Sequence, residues 1–420
     1  MNYICFKLIF FMDVVNLLQG TVKHYDWGGY NFIPSLLRLD NRENKPFAEY
    51  WLGVHPQAEC RVVGEDGSTR LLSDFFSTMS PTALGEYVAA RFGNLPYLLK
   101  ALDVKGMLSI QVHPGKSAAE RDFAAENEKG IMLDSPTRNY KDDNHKPELL
   151  VAISDFWLLH GFKPEKELKQ TLQAVPELKH LLPIFEKEGY QGLYKTVMEL
   201  PQSEVDTRLQ PLLDRIVPLY NEGRLERSSA DFWAARAAID HSKQDHADRG
   251  IFSIYLFNLV ELRKGEAIFQ DAGVPHAYLE GQNVEIMASS DNVLRGGLTS
   301  KHIDVPELLK HVKCEPTHPN IIKGDRAGVE LIYRTTAPDF ELSSYTLHVG
   351  DQTSFVPSTA EIFLLIDGEV VLSHGERKIT LRSGQPSAII FPGKEISIRA
   401  NQPSWLFKST VPLPGVDKSA

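Results

Sequence analysis

An amide and an imidazole stand two positions apart in the segment Ser109–Pro114, which reads Ser-Ile-Gln-Val-His-Pro. Residues two apart in a β-strand face the same side, so Gln111 and His113 would present an oxygen and a nitrogen together. Two polar groups on the inner face of an apolar strand are one way in which a sheet builds a metal site. The alternative is a buried histidine that is hydrogen-bonded beside a glutamine, and this fragment by itself favours that alternative.

A second polar segment, residues 144–148, reads Asn-His-Lys-Pro-Glu and directly precedes the apolar run Leu149–Ile153. A short run of charged groups is usually a solvated turn. Here it abuts a stretch that is typical of a buried strand, so Glu148 could supply a hard oxygen ligand to a metal. The neighbouring Lys146 could act as an acid, a base or a phosphate clamp.

A third segment, Gly273–Tyr278, predicts a tight turn with His276 at the entrance of a strand. Zinc accepts histidine nitrogen and carboxylate oxygen, and a catalytic zinc site leaves a position open. Four side chains would then make a site of nitrogen and oxygen ligands: Gln111, His113, Glu148 and His276. An amide oxygen is an unusual ligand, so spacing alone does not establish this set.

A fourth segment, Glu285–Gly297, contains a turn at Asp291 and Asn292 and an arginine, Arg295, that is followed by two glycines. Glycine lets a backbone or a ligand come close. Arginine is the natural partner of a sugar oxyanion or a phosphate. A surface arginine in a glycine-rich loop is the alternative.

Composition narrows the possible functions. The chain has 420 residues, a formal net charge of −10 and three cysteines, none of them in a CxxC pair. The acidic balance argues against binding to nucleic acid, and an anionic ligand would need a local cluster of lysine and arginine. The scarcity of cysteine predicts a reducing compartment, the cytoplasm, and a metal site without thiolates.

The apolar run Met1–Val15 is too short to span a bilayer and lacks a good cleavage site. We therefore expect neither a membrane span nor a signal peptide. Met12 could be the true start of the protein, in which case residues 1–11 would not belong to it.

The elements that must position these residues begin with a strand-like region, Val14–Ser109, which is interrupted by turns. Two apolar stretches within residues 95–110 predict a hairpin, and Lys116–Lys129 predicts a helix. Residues 164–249 carry apolar side chains at helical spacing and predict a helical insertion. Its helices are expected over 164–175, 203–220 and 229–243.

Strand patterns return after the helical region. Strands are expected over 251–260, 266–270 and 281–288. A further block of short strands at 329–410, regularly separated by glycine turns, predicts a β-sandwich or jelly roll.

The four polar segments, in this order and spacing, resemble the type I mannose-6-phosphate isomerase family. Supporting matches are residues 26–29, 48–56, 95–100 and 161–164, and the resemblance weakens beyond about residue 305. It implies a mainly β fold with a helical insertion, in which two cupin (jelly-roll) β-barrels accompany an α-helical domain. It also implies one zinc ion per chain and interconversion of D-mannose 6-phosphate and D-fructose 6-phosphate through a zinc-stabilised cis-enediol.

The resemblance also implies a division into domains. Residues 14–155 and 250–320 would form the catalytic, zinc-binding cupin, and residues 156–249 the helical insertion. Residues 321–415 would form a C-terminal cupin, which we expect to be metal-free because no histidine pair has cupin spacing there.

Matching of motifs assigns roles to single residues. The metal ligands would be Gln111, His113, Glu148 and His276. The catalytic positions would be Arg295, Lys146, Glu285 and Asp291, and the base could be Lys146, Glu285 or a metal-bound water. The substrate-binding positions would be Lys100, Ser109, Tyr278 and Lys301, with the two lysines and the serine on the phosphate.

The expected partner is a small phosphosugar, with no nucleic acid, no membrane and a monomeric chain. Three alternatives stay open: a cupin that senses a sugar without catalysis, an iron-dependent cupin oxygenase, and an isomerase of another phosphosugar. An iron site would usually be richer in histidine than this one.

Overall fold

A computed structural model describes residues 13–241 and 246–415 of the chain. The expectations about residues 1–11, and the last two positions of the helix expected over 229–243, lie outside these ranges.

The strands of the described residues, in chain order, are β1 (Val15–Gln19), β2 (Thr21–Lys23), β3 (Glu49–His55), β4 (Ala58–Glu59), β5 (Arg61–Val63), β6 (Thr69–Leu71), β7 (Tyr97–Val104), β8 (Ile110–Val112), β9 (Glu148–Ala152), β10 (Phe156–Phe162), β11 (Phe257–Leu262), β12 (Ala267–Gln270), β13 (His276–Ala288), β14 (Leu294–Gly297), β15 (Asp325–Ala327), β16 (Glu330–Tyr333), β17 (Glu341–Leu347), β18 (Gln352–Phe355), β19 (Glu361–Asp367), β20 (Glu369–His374), β21 (Arg377–Arg382), β22 (Ser387–Ile390), β23 (Ile396–Ala400) and β24 (Ser404–Thr410).

The α-helices of the same residues are α1 (Phe32–Leu37), α2 (Leu72–Thr78), α3 (Ser80–Leu84), α4 (Glu86–Phe92), α5 (Lys116–Glu128), α6 (Glu165–Ala174), α7 (Leu182–Glu199), α8 (Gln202–Asn221), α9 (Ala230–His241), α10 (Gly250–Leu256) and α11 (Val305–His311), and a 3-10 helix covers Pro176–Leu181. No helix within the described ranges is long and apolar enough to cross a membrane.

The described strands form three antiparallel sheets. An eleven-stranded sheet follows the path β11-β10-β13-β7-β3-β2, with β4, β8, β9, β12 and β14 attached beside it. A nine-stranded sheet has the order β15-β16-β17-β24-β19-β22-β1-β5-β6, and a four-stranded sheet has the order β18-β23-β20-β21. The fold is therefore rich in sheet, with helices added, and none of these strand orders closes on itself.

β13 is the strand on which the eleven-stranded sheet depends. Its first half pairs with β10 and β8, and its second half, from Gly281, pairs with β7 and β9. Gly281 lies at the change of partners, where its φ is +126° and an added Cβ would lie 2.5 Å from the carbonyl oxygen of Asp155. Glycine is needed at this position because no other residue fits both the backbone angle and the space.

The hairpin expected within residues 95–110 is wrong. β7 pairs with β13 and β3, whereas β8 pairs with β13 and β14, so these two strands do not pair with each other. All eight residues of β7 are buried. A strand that is covered on both sides reads as a continuous apolar run, and such a run carries no information about its neighbours.

Two further expectations about strands are also wrong. Residues 72–92, within the region read as strands, form α2, α3 and α4, and the buried Leu72, Phe75 and Phe76 have helical spacing. Residues 251–256, where a strand was expected, belong to α10. Every residue of α10 is buried, so its sequence lacks the period that separates a helix from a strand.

The helices expected over 164–175, 203–220 and the described part of 229–243 are confirmed by α6, α8 and α9. On α8, the residues at helical spacing, Leu209, Leu212, Leu213 and Ile216, are buried. They share one core with apolar residues of β8 and β10. The helices therefore pack against the strands that carry the polar segments.

The block of strands expected over 329–410 is confirmed by β16 to β24. The N-terminal strands β1, β5 and β6 join the same sheet, since Val15 of β1 pairs with Ile390 of β22. The helix expected over 116–129 is confirmed by α5.

The two glycines after Arg295 do allow a close backbone approach. A Cβ added to Gly297, whose φ is +133°, would lie 2.4 Å from the Cα of Gly250 at the start of α10. This contact holds β14, and with it Arg295, against the helical part of the fold.

We expect Gly297→Ala to lower the free energy of unfolding by about 3 kcal/mol or more, because backbone strain and overlap with Gly250 add together. Gly328→Ala is the matched control, since its φ is +61° but nothing lies within 4 Å of the added Cβ. It should cost only about 1–2 kcal/mol. Urea unfolding measures both losses, and equal losses would show that the Gly297–Gly250 contact does not matter.

Candidate metal centre and active site

Strand register alone brings the four polar segments together, since Glu148 of the second segment also pairs with Met287 of the fourth. Gln111 of β8 pairs with His276, the first residue of β13, on one side and with Arg295 of β14 on the other. Paired residues of neighbouring strands have Cα atoms about 5 Å apart. The segments that carry these residues are therefore adjacent in space, as the site requires.

Two histidines and a glutamate meet in the interior. The Nε2 atom of His113 lies 3.3 Å from Oε1 of Glu148, and the Nε2 atom of His276 lies 3.4 Å from Oε2 of the same carboxylate. The two imidazole centroids are 5.0 Å apart. All three side chains are buried, and His113 has no exposed surface.

Hydrogen bonds on the far side of each ring fix its tautomer. The Nδ1 atom of His113 lies 2.8 Å from the carbonyl oxygen of Asn292, and that of His276 lies 3.0 Å from the carbonyl oxygen of Val274. A carbonyl oxygen only accepts, so Nδ1 must carry the proton in both rings. In the neutral form of each ring, which is the form that binds a metal, the Nε2 atom then directs a lone pair towards Glu148.

This arrangement fits a bound cation. Burial, and then the charge of Lys146, lowers the pKa of His113 to about 4, so the ring is neutral at pH 7. Its Nε2 atom is buried and has no hydrogen-bond partner. The Nε2 lone pair of His113 and the carboxylate of Glu148 converge without a proton between them and repel each other, and a divalent ion removes that repulsion.

Glu148 is held in its ionised form. Burial opposes its ionisation, but the ammonium of Lys146, 2.7 Å away, holds its pKa well below the usual range. Gln111 is half-buried on the strand between His276 and Arg295. Its role as a fourth ligand stays a prediction.

A second buried network lies beside the first. The hydroxyl of Tyr278 donates to Glu285 (2.8 Å) and lies 3.2 Å from Glu148, and Lys100 donates to Glu285 (3.1 Å). Burial raises the pKa of Glu285 above its usual value, although Lys100 opposes this shift. Burial lowers the pKa of Lys100, but Glu49 and Glu285 more than reverse this, so the lysine stays charged.

Three members of this neighbourhood were given no role by the sequence. Glu49 lies 3.9 Å from the ammonium of Lys100 and accepts a hydrogen bond from the indole of Trp51. His55 lies 3.5 Å from the carboxylate of Asp291. All three belong to β3, within the segment 48–56 that supports the family resemblance, and that segment was the available signal.

Arg295 differs from the other charged groups because it has no acidic partner. Among the residues described, it makes neither an ion pair nor a hydrogen bond through its side chain. Burial lowers its pKa from the usual value, and burial followed by the charge of Arg295 lowers that of Lys301. A positive region without counter-charges is suited to an anion.

The remaining assigned residues divide between these regions. Lys100 lies with the carboxylates of Glu285 and Glu49, whereas the exposed Lys301 lies in the field of Arg295. Ser109 is half-buried directly before β8. The roles of these three residues in holding a phosphate stay predictions.

A second group of possible ligands, Asp122, Glu307 and His311, joins α5 to α11. The hydroxyl of Tyr140 lies between them, 2.7 Å from Glu307 and 2.8 Å from His311. Arg121 pairs with Asp122 and Lys310 pairs with Glu307, so together with the hydroxyl these groups have partners without an ion and form a hydrogen-bond network.

These features define a metal-binding centre of the His-Glu type, buried in a sheet and placed next to acid–base groups. Residues 15–165 match the family model described as phosphomannose isomerase type I, catalytic domain. The chain is 36% identical to mannose-6-phosphate isomerase of Salmonella typhimurium, with 89% of this chain and 94% of the relative covered. It is 35% identical to that of Escherichia coli K12, with 91% and 97% covered.

A solved structure of mannose 6-phosphate isomerase with zinc bound superposes on this fold with a TM-score of 0.85. The sequences are 33% identical, and the match covers 96% of this chain and 100% of the other. The chain therefore belongs to the type I phosphomannose isomerase family, as its four motifs indicated.

We expect Glu148→Gln to weaken zinc binding by at least about 100-fold, because it removes the only negative charge from the converging ligands while it keeps their shape. Competition with a chromophoric chelator measures this affinity. Glu307→Gln, in the network around Tyr140, is the matched control and should leave the affinity unchanged. Tight zinc binding by Glu148→Gln would contradict the assignment.

Proposed function

We propose that this protein interconverts D-mannose 6-phosphate and D-fructose 6-phosphate through a cis-enediol, with one zinc ion per chain. The observation that carries the proposal is the buried centre of His113, Glu148 and His276 beside an arginine without an acidic partner. Membership of the type I phosphomannose isomerase family supplies the substrate class.

The chemical difficulty of this isomerisation lies in the charge that develops on the sugar. The proton on C2 of an α-hydroxy aldehyde is weakly acidic, so the oxygens of the enediol must be stabilised as the proton leaves. Bound zinc supplies a Lewis acid that lowers the cost of this negative charge. Arg295 supplies a fixed positive charge for the same oxygens, because no carboxylate competes for its guanidinium.

Glu285 is the group that we propose to move the proton between C2 and C1. Burial raises its pKa towards the working pH, which is what an effective base requires. Tyr278 and Lys100 hold one oxygen of its carboxylate each. Lys146 instead points at Glu148, 2.7 Å away, and in this proposal it orients that ligand and neutralises charge near the sugar oxygens.

The phosphate needs a positive region in an otherwise acidic chain. We propose that Lys301 and Ser109 bind it near Arg295, and that Lys100 adds charge from the side of Glu285. Their contribution is to orient the open-chain sugar so that C1 and C2 face the base and the cation. Asp291, held by His55 and Gln57, would accept a hydrogen bond from a sugar hydroxyl.

The finer architecture is part of the same proposal. We propose two cupin barrels, formed by residues 14–155 with 250–320 and by residues 321–415, and a helical domain at 156–249. The antiparallel sheets and the run of helices from α6 to α9 support this division. We further propose that the protein acts as a monomer in the cytoplasm and binds no nucleic acid.

Arg295→Ala is expected to lower kcat by roughly 100- to 10,000-fold with a modest change in KM, because this contact strengthens as charge develops on the sugar. A coupled assay from mannose 6-phosphate measures both constants. Arg295→Lys keeps the charge but loses the planar fork, and it should restore part of the loss. Unchanged turnover in Arg295→Ala would remove this residue from the chemistry.

The acid limb of the kcat/KM profile is expected to report Glu285. A base must be deprotonated to act, so activity should be lost as the pH falls through its pKa, which lies above 4.5 because burial raises it. Glu285→Gln should abolish this limb and most of the turnover. If Lys146→Met abolished the limb and Glu285→Gln kept it, the lysine would be the base.

A further inference from the structure

The side-chain amide of Asn292 is the most heavily bonded group next to the proposed metal centre. Only 1% of Asn292 is exposed. Its Oδ1 accepts from the backbone N–H of Lys141 (2.7 Å), and its Nδ2 donates to the carbonyl oxygens of Asp142 and Asn144 (2.8 Å each). Every one of these partners lies on a segment more than a hundred positions earlier in the chain.

Side chains of the earlier segment also form hydrogen bonds to the segment that contains Asn292. The carboxylate of Asp142 accepts from the hydroxyl of Ser290 (2.7 Å) and from the backbone N–H of Asp291 (2.8 Å). The amide of Asn144 donates to the carbonyl oxygen of Ser289 (3.1 Å). We use the name Asn292 clasp for the four side chains that join the two segments: Asp142, Asn144, Ser290 and Asn292.

A third segment is held at the same residue. The backbone carbonyl oxygen of Asn292 accepts the Nδ1–H of His113, and this bond turns the Nε2 lone pair of the ring towards Glu148. A displacement of Asn292 would therefore change the orientation of a proposed metal ligand, even though its own side chain touches no proposed ligand atom.

The clasp thus lies where the three parts of the site meet. One joined segment leads directly into Lys146 and Glu148, and the other leads into Arg295. The third part is His113, which directly follows β8 and is bonded to the backbone of Asn292. The pairing of β9 with β13 ends at Glu148 and Met287, and the backbone N–H of Ala288 donates to the carbonyl oxygen of Pro147. Beyond these backbone contacts, the bonds of the clasp hold residues 141–146 to residues 289–293.

We propose that Asn292 is a positioning residue, which sets the tautomer of His113 and the distance of Lys146 and Glu148 from Arg295. Its effect on catalysis rests on the function proposed above, whereas its effect on metal retention does not. A group that fixes a metal ligand from behind typically changes metal affinity by about 10- to 100-fold. Misplacing catalytic groups by about 1 Å costs a similar factor in turnover.

Asn292→Ala removes the amide, and Asn292→Asp keeps the acceptor for Lys141 but turns an oxygen towards the carbonyls of Asp142 and Asn144. The control is Asn258→Ala. Asn258 is also buried (8% exposed), and its Nδ2 donates to four backbone carbonyls, at His160, Gly161, Phe162 and Thr317. None of these belongs to the clasp.

Three quantities are measured for each zinc-loaded variant: the rate of zinc release to a chelator, kcat with KM, and the melting temperature. For both Asn292 variants we expect zinc release to be about 10- to 100-fold faster and kcat to fall by a similar factor, with KM changed less than about 3-fold. The Asn258→Ala variant should lose melting temperature but keep the wild-type zinc release and kcat.

A folded Asn292→Ala protein with wild-type zinc release and kcat would overturn the proposal. So would equal changes in Asn258→Ala, since any lost buried amide would then have the same effect. If Asn292→Ala does not fold, Asp142→Asn, which weakens the same clasp from the other side, decides with the same readouts. If wild-type protein binds zinc but lacks isomerase activity, the proposed function fails while zinc release still tests the clasp.

Discussion

The site depends on a repulsion that the protein builds into its own interior. Two imidazole rings are turned by backbone carbonyls so that their Nε2 atoms face one carboxylate, and burial removes the water that would screen these groups. Side chains that only filled space would rotate away from one another. The rings of His113 and His276 cannot, because each Nδ1–H is already committed. The interior is thus prepared for a cation before a cation arrives.

The buried charges around the centre nearly cancel, so a bound divalent ion changes the sign of their sum. Counted with every group ionised, three buried carboxylates, of Glu49, Glu148 and Glu285, face the two ammonium groups of Lys100 and Lys146. The group is therefore negative by one charge, and a divalent ion makes it positive by one. A bound divalent ion would therefore add to the positive field that Arg295 and Lys301 present to an anion.

The sequence predicted the places of single polar residues better than it predicted which strands pair. The position of a single polar residue relative to a strand can be read from the sequence: His276 does begin a strand, β13, and Glu148 does begin β9. The pairing partners of buried strands cannot be read in this way, because nothing in the sequences of β7 and β8 indicates that both pair with β13. The helix α10, buried on every side, has no amphipathic period to read. Asn292 was read as a turn residue because its hydrogen bonds depend on a contact between distant segments.

Zinc-site geometry and family membership explain different parts of this molecule. The His-Glu centre and the free guanidinium follow from hydrogen bonds and register, and they would suit several reactions of anionic oxygen compounds. The identity of the sugar substrate is inferred from the relatives. Glu285 connects the two, because its raised pKa and its position beside Tyr278 and Lys100 suit the transfer of a proton from carbon.

The pairing of β1 with β22 has a consequence for how the chain is made. Val15 is synthesised long before its partner Ile390, because almost the whole described chain lies between them. The nine-stranded sheet therefore cannot be completed until β22 and β24 have emerged, and until then one edge of β1 has no partner strand. Such long-range closure is slow, and during that time the open edge of β1 is available for pairing with other chains.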